Sequence, residues 1–329
     1  MARETAGIQA QEPRAGRLGF RARSTSLTAA DVDRARIEER SIVRTWAMRS
    51  TVHLLATEDA EWVLPLFDAR LSADSRRRLG QLGLDSRAQD RALGAIRTAL
   101  ESDGYLGRTE LVERLARLGI EVDAARRVHL FRVATGEGIA ILGPDRGAET
   151  LLALTREWVG ERPRHDRDAA VTELTRRYLR AFGPATEADF AGWSGLPMRD
   201  VRAGLHRIGG ELRETRIGEQ EAWTLRGAAR RPRGRIVRLL PGWDNYLMGH
   251  RDRDFIAGPD RWTTVMPGGG LIRPTIIVDG VAVGTWSVRR KGGSVEVELD
   301  PFEELDDETK AAMRGEAQDV RRFEGIDAT

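Results

Sequence analysis

The chain has 329 residues, enough for roughly two to four domains with cores of their own. It contains no cysteine, which excludes disulfides, iron–sulfur clusters and thiolate zinc sites and fits a reducing cytoplasm; no run approaches the ~18 apolar residues of a membrane span, nor does the N-terminus carry the apolar core of a signal peptide. Formal charge is only +2 with a pI of about 9.3, and lysine occurs only at Lys291 and Lys310, so the basic character is arginine, whose planar fork suits phosphate and stacks on bases.

Taken in order, the first element is "GIQAQEP", Gly7 to Pro13. Pro13 biases Glu12 to an extended conformation, and a strand through "IQAQ" places Gln9 and Gln11 on one face with Ala10 behind. "TAADVDRARIEER" reads as a helix capped by Thr28 with acids in its first turn. "SIVRTWAMRSTVHLL" reads as two strands around a tight bend, and Thr57 then caps one helix, "EDAEWVLPLFDARL". From Arg87 the pattern is helix ("RAQDRALGAIRTALES", ended by Gly104), shorter helix ("RTELVERLARLG", ended by Gly119), basic helix ("DAARRVHLFRVATGEG") and strand ("IAILGP"). From Asp166 it repeats: "DRDAAVTELTRRYLRAFG", "ATEADFAGWSG", "PMRDVRAGLHRIGG", then "ELRETRIGEQEAWTLRG" as a hairpin.

Helix, short helix, basic helix and hairpin is the order of a winged helix-turn-helix, whose third helix normally lies on DNA. The expected fold class is therefore α+β: tandem winged-helix domains over residues 1–86, 87–162 and 163–230, then a barrel-like β domain over 231–329. "RRPRGR" is the expected linker between the two kinds of domain. Hairpin turns are expected at Asp279-Gly280 and Gly292-Gly293, and a terminal helix over 306–323.

Several groups could carry chemistry. Gln9 and Gln11 together offer four N–H donors and two acceptor oxygens, enough to hold a water and aim it but not to take a proton strongly. If "TWAMRSTVHLL" is extended, Arg49, Thr51 and His53 share the face opposite Trp46, Met48, Val52 and Leu54, and that polar face suits phosphate and base contacts. Arg126, Arg127 and Arg132 on one basic helix, and Arg199, Arg202 and Arg207 on the next, are candidate phosphate contacts. "WDNYLMGHRDR" gathers Asp244, Asn245, Tyr246, His250, Arg251 and Arg253 into one expected loop. It has no metal-ligand spacing, and its arginines would repel a cation, so a DNA-facing or structural loop is expected and no metal. "PGGGLIRP" lacks Gly-Lys-Ser/Thr and reads as a turn between strands.

"GIQAQEPRAGRLGFRAR", "VRTWAMRSTVHLL", "LLPGWDNYLMGHRDR" and "MPGGGLIRPTIIVDGVAVGTW" together resemble, in order and over nearly the whole chain, the AlkZ-type winged-helix DNA glycosylases. The resemblance implies tandem winged helices forming a concave channel, a β-barrel after them, and excision of N-alkylated purines, extending in some members to unhooking interstrand crosslinks. It also implies that Gln9-Ala10-Gln11 is the Gln-Φ-Gln catalytic motif, in its double-glutamine form. The expected DNA contacts, read from the residues themselves, are Arg49, Thr51, His53, Arg126, Arg127, Arg199, Arg202, Asp244, Asn245, Arg251 and Arg253. Members usually have two helices before the motif, whereas eight residues precede Gln9 here; the first winged helix is accordingly expected to be incomplete. The expected partner is double-stranded DNA carrying alkylated purines or crosslinks, bound by a cytoplasmic, nucleoid-associated monomer without cofactor or membrane. The alternative is a winged-helix binding protein or regulator without catalysis. Such a regulator would normally dimerise on a palindrome, for which tandem domains and a barrel in one chain give no obvious element, and the glutamine pair is unexplained under that reading.

Overall fold

The computed structural model describes residues 1–160, 166–228, 234–291 and 294–325. The chain divides into two compact units, one made of residues 1–34 with 172–329 and the other of residues 35–171.

The N-terminal segment holds β1 (Ile8–Gln9), α1 (Pro13–Arg21) and the start of α2 (Ala29–Ile37). The expected strand is cut short: it ends at Gln9, and Gln11 sits in a bend. Helix α1 explains why. Pro13 opens the helix without needing a donor, and the Glu12 carboxylate accepts from the N–H groups of Arg14 and Ala15, so the chain must turn before Glu12 to begin the helix. Thr28 caps α2 as expected, in a reciprocal box with Asp31.

In the unit of residues 35–171, β2 (Ile42–Trp46) and β3 (Val52–Ala56) form the expected hairpin, with Ile42 opposite Ala56 and Trp46 opposite Val52. Its tip turns through left-handed Arg49 and Ser50, at φ 54 and 56. The helix expected after Thr57 is split, because Pro65 cannot continue it. Thus α3 (Thr57–Val63) ends, a short 3-10 turn follows, and α4 (Asp68–Gln81) restarts. Thr57 is the first helical residue rather than the cap; its hydroxyl bonds the Arg40 carbonyl. The helices α5 (Ser86–Asp103), α6 (Arg108–Arg117) and α7 (Ala124–Gly136) follow as read, with positive-φ Gly104 and Gly119 as stops. Strands β4 (Ala140–Arg146) and β5 (Glu149–Leu154) complete the sheet order β3-β2-β4-β5 within this unit, ahead of α8 (Thr155–Val159).

After α9 (Arg167–Phe182) the other unit resumes with α10 (Glu187–Ser194), α11 (Met198–Arg207) and the hairpin of β6 (Leu212–Ile217) and β7 (Gln220–Leu225). An aromatic cluster of Tyr178, Phe182, Phe190 and Trp193 packs α9 against α10. Most of the expected linker, residues 230–233 of 230–235, lies outside the described residues, as does the Gly292-Gly293 turn. Beyond it come β8 (Val237–Leu240), α12 (Asn245–Met248), α13 (Asp254–Val265), β9 (Thr275–Val278), β10 (Val281–Lys291), β11 (Ser294–Pro301) and α14 (Asp307–Phe323). Sequence reading missed α12 and α13. The second is interrupted by Gly258 at φ 68 and Pro259, which mask its helical pattern.

The expected barrel is not closed. Among the described residues the four strands run β11-β10-β9-β8 with no bond from β8 to β11. Instead α14 lies against β8 and β11 and buries Met313, Val320 and Phe323, so the helix covers what closure would otherwise have sealed. The Asp279-Gly280 turn is present, with both residues at positive φ. "PGGGLIRP" joins α13 to β9 and is a turn pinned by a Gly268–Leu271 bridge, not a link between two strands.

Candidate active site

The glutamine segment is held from behind. Asn245, the first residue of α12, is 3% exposed. Its side-chain oxygen accepts from the Gln9 N–H at 2.8 Å, and its Nδ2 donates to the Gly7 carbonyl at 2.6 Å. In an extended chain those two backbone groups point to the same edge, so the carboxamide takes the place of a neighbouring strand's peptide. Gln9 is 6% exposed and Ala10 fully buried, whereas Gln11 faces solvent. The motif therefore runs from the interior to the surface over three residues.

Asp244 anchors Asn245. Its carboxylate caps α12 through the Tyr246 N–H at 2.8 Å and accepts from both Nη1 and Nη2 of Arg23, at 2.8 and 2.7 Å. Burial opposes the Arg23 charge, but the Asp244 carboxylate outweighs it and holds the guanidinium above its ordinary pKa. Arg23 also donates to the Gly19 carbonyl at 2.9 Å, which fastens the end of α1. Gly19 is required here: a Cβ would stand 2.6 Å from Cγ2 of Ile8, so any side chain would push β1 away from α1. Sequence reading did not single out Gly19 or Arg23. The signal was a glycine inside the helix of "RAGRLGFRAR", where it costs stability unless something approaches closely.

Beside the motif lies a cleft of about 160 Å³, lined by Glu12, Arg14, Leu18, Trp243, Leu271 and Trp286 among others. Glu12, the acid adjacent to the motif, has both oxygens engaged by the start of α1. Arg14 is turned to Glu324 at 3.1 Å. Among the described residues no group of three or more His, Asp or Glu side chains could hold a metal ion.

The remaining sequence candidates fall in several places. Asp244 and Asn245 are interior, as above. Arg251 is exposed, its backbone N–H bonded to Asp189 at 2.8 Å; Arg253 is half-buried over the Trp262 ring, with its Nε on the His250 carbonyl. Arg199 and Arg202 project from α11 with side chains 83% and 66% exposed. In the unit of residues 35–171, Arg49 and Thr51 occupy the tip of the β2–β3 hairpin. His53 follows on β3, only 2% exposed, with Nδ1 3.0 Å from the Thr51 carbonyl. Burial, with the Arg49 charge behind it, lowers its pKa to about 3. The ring is thus neutral near pH 7 and donates from Nδ1, which leaves Nε2 as an acceptor. On α7, Arg126 donates to the Leu82 carbonyl at 2.8 and 2.9 Å, while Arg127 is half-exposed.

Two amides, one on the braced strand and one in the bend just past it rather than side by side on one strand face, without a free acid in the motif, suit aiming a water rather than moving protons. The chain matches the AlkZ-like DNA glycosylase family over residues 2–323. It belongs to that family. An interstrand DNA cross-link repair glycosylase of Streptomyces sahachiroi is 28% identical over 339 aligned residues, spanning 97% of this chain and 89% of that protein. The solved structure of Streptomyces sahachiroi DNA glycosylase AlkZ superposes with a TM-score of 0.80 at 26% identity, covering 98% of this chain and 90% of that one. The resemblance read from the sequence is therefore shown, and the chain is an AlkZ-like DNA glycosylase. Among the described residues no helix is long and apolar enough to cross a membrane.

Proposed function

We propose that this AlkZ-like glycosylase is monofunctional and hydrolyses the N-glycosidic bond of purines alkylated at N7 or N3, with Gln9 and Gln11 as its catalytic residues. One observation carries this: the motif presents amides, and its single carboxylate, Glu12, is occupied as the cap of α1. Alkylation at N7 or N3 makes the purine a cationic leaving group, so no strong general acid is needed. What remains is to stabilise an oxocarbenium-like sugar and direct one water to C1′. A bifunctional route needs an amine nucleophile; Lys310 lies on the terminal helix and is paired with Glu304. Crosslinks belong among the proposed substrates because the Streptomyces relative carries that activity in its name.

The triplets α5–α7 and α9–α11, each followed by a hairpin, support a reading as tandem winged helices on duplex DNA. The proposed phosphate and base contacts are Arg49, Thr51, Arg127, Arg199, Arg202, Arg251 and Arg253, whereas His53, 2% exposed with only an acceptor nitrogen left, is withdrawn as a phosphate contact; the protein acts as a monomer on nucleoid DNA in the cytoplasm. Asp244, Asn245 and Arg126 have their polar atoms committed within the protein and take bracing roles.

Gel-resolved base release from matched duplexes carrying N7-methylguanine or uracil tests the reading. The cationic lesion should be released and the neutral one ignored, since each 1.4 kcal/mol of missing leaving-group assistance is about tenfold in rate. Gln11→Ala should lower single-turnover release by about 10²–10³-fold, the scale on which removing one positioned transition-state donor acts, while duplex affinity stays within about twofold. Comparable rates on both lesions, or wild-type rates in the variant, would overturn the mechanism.

A further inference from the structure

Neither glutamine can aim a water unless its backbone is fixed, and β1 is only two residues long. A strand that short has little order of its own. The Gly7 carbonyl and Gln9 N–H are the groups whose direction sets where the Gln9 side chain points, and one side chain, Asn245, bonds both, at 2.6 and 2.8 Å; the Thr5 hydroxyl adds a longer bond to the Gly7 carbonyl at 3.2 Å but reaches nothing on Gln9. We infer that Asn245 is a positioning residue for the glycosylase reaction, acting as a surrogate strand that sets the aim of the glutamine motif. The inference rests on the catalytic role proposed for Gln9.

The requirement is specific to a carboxamide. One edge of the clamp must donate, to Gly7, and the other must accept, from Gln9. Serine is too short to span both, leucine fills the space but does neither, and an aspartate carboxylate accepts from Gln9 but sets a negative oxygen against the Gly7 carbonyl. The clamp is itself held in place. Asp244 caps α12 and is tied to Arg23, and Arg23 in turn holds the Gly19 carbonyl at the point where α1 meets Ile8. The one helical turn that carries Asn245 is thereby fixed to the helix that follows the motif.

Asn245→Asp supplies a test that a merely space-filling residue would not pass. The protonated carboxyl restores one donor and one acceptor in nearly the same shape, whereas the carboxylate does not. Burial and the neighbouring Asp244 carboxylate raise the pKa of an acid placed there, while Arg23 on the far side of Asp244 opposes that rise. Single-turnover release of N7-methylguanine from duplex DNA is measured from pH 8 to pH 5, subtracting protein-free release at each pH. In Asn245→Asp the rate at pH 8 should fall on the order of a hundredfold, the scale of a misplacement near 1 Å. It should then climb back towards the wild-type rate as the pH falls, over a range in which the wild-type profile is flat.

Asn245→Leu should be low throughout and should lose the protection of the Gln9 amide against hydrogen exchange, which Asn245→Asp keeps because its carboxylate still accepts from that N–H. If Asn245→Leu does not fold, the pH profile of Asn245→Asp decides alone. A wild-type rate at pH 8, or a loss that acid does not restore, overturns the inference while wild-type release leaves the proposed function standing. Wild-type protein that releases no base overturns the proposed function, and the positioning role with it.

Discussion

The glutamine segment and the exposed face of α11 stand at opposite extremes in how their polar groups are used. Around Gln9 the bracing groups are bonded within the protein: Asn245 to Gly7 and Gln9, Asp244 to Arg23 and Tyr246, Glu12 to the start of α1. On α11, Val201 and Leu205 are buried, while Arg199 and Arg202 reach into solvent and share ion pairs with Asp200 and Glu187. Exposed pairs of that kind are worth about 0–1 kcal/mol, so they exchange readily for a phosphate. Chemistry that depends on aim sits where nothing can move, and affinity that depends on charge sits where partners are cheap to replace.

That contrast breaks first at Asp244. Its side chain is fully buried and paired with Arg23, whose own side chain is 21% exposed. Asp244→Ala leaves that guanidinium without its partner and uncaps α12, which should cost about 3–5 kcal/mol in urea unfolding. Removing the charge on both sides, in Arg23→Met with Asp244→Leu, should cost less than Asp244→Ala alone. A cost below about 1 kcal/mol for Asp244→Ala would show that the brace is not rigid and that the two regions differ less than the geometry says.

On α11 the expectation is inverted. Arg199→Ala with Arg202→Ala should leave unfolding free energy within about 0.5 kcal/mol of wild type, as surface substitutions do. It should reduce the slope of log K against log salt for undamaged duplex by roughly one unit for each phosphate no longer neutralised, so about two. Release at saturating protein should not change. An unaltered slope would place α11 away from the DNA.

Much of this was legible in the sequence, and the reasons are local. The helix stops at Gly104 and Gly119, the cap at Thr28 and the β2–β3 bend each follow from a few adjacent residues. The importance of Gln9 and Gln11 was legible only through family resemblance, since Q-x-Q alone has no distinguishing chemistry. What stayed hidden was long-range. Asp244 and Asn245 look like loop groups facing a ligand until Gly7, Gln9 and Arg23, more than two hundred positions away, are seen to consume them. The open sheet was hidden for the same reason, because the covering helix α14 is recognisable but its docking place is not.

The smallest predicted effect concerns α7, which the sequence made the twin of α11. Both are arginine-bearing third helices preceded by two others. Their environments differ: α7 buries Leu130, Phe131, Val133 and Ala134 and packs against α4, so much more of its surface is interior. Arg126 bends back over the turn at the end of α4, donating from Nε and Nη2 to the Leu82 carbonyl and from Nη1 to the Glu121 carbonyl at 3.3 Å. The Leu82 carbonyl is the C-cap of α4 and the Glu121 carbonyl lies in the loop before α7, so the guanidinium caps α4 and ties it to that loop. Arg126→Ala should therefore cost about 1 kcal/mol of stability, the usual net worth of such bonds when water can partly replace them. It should leave the salt slope of duplex binding unchanged within error. Arg127→Ala, on the same helix without that engagement, is the matched control and should lower the slope by about one unit if α7 approaches the backbone. A drop for Arg126→Ala equal to that of Arg127→Ala would mean the cap opens on DNA, and α7 would then belong with α11 after all.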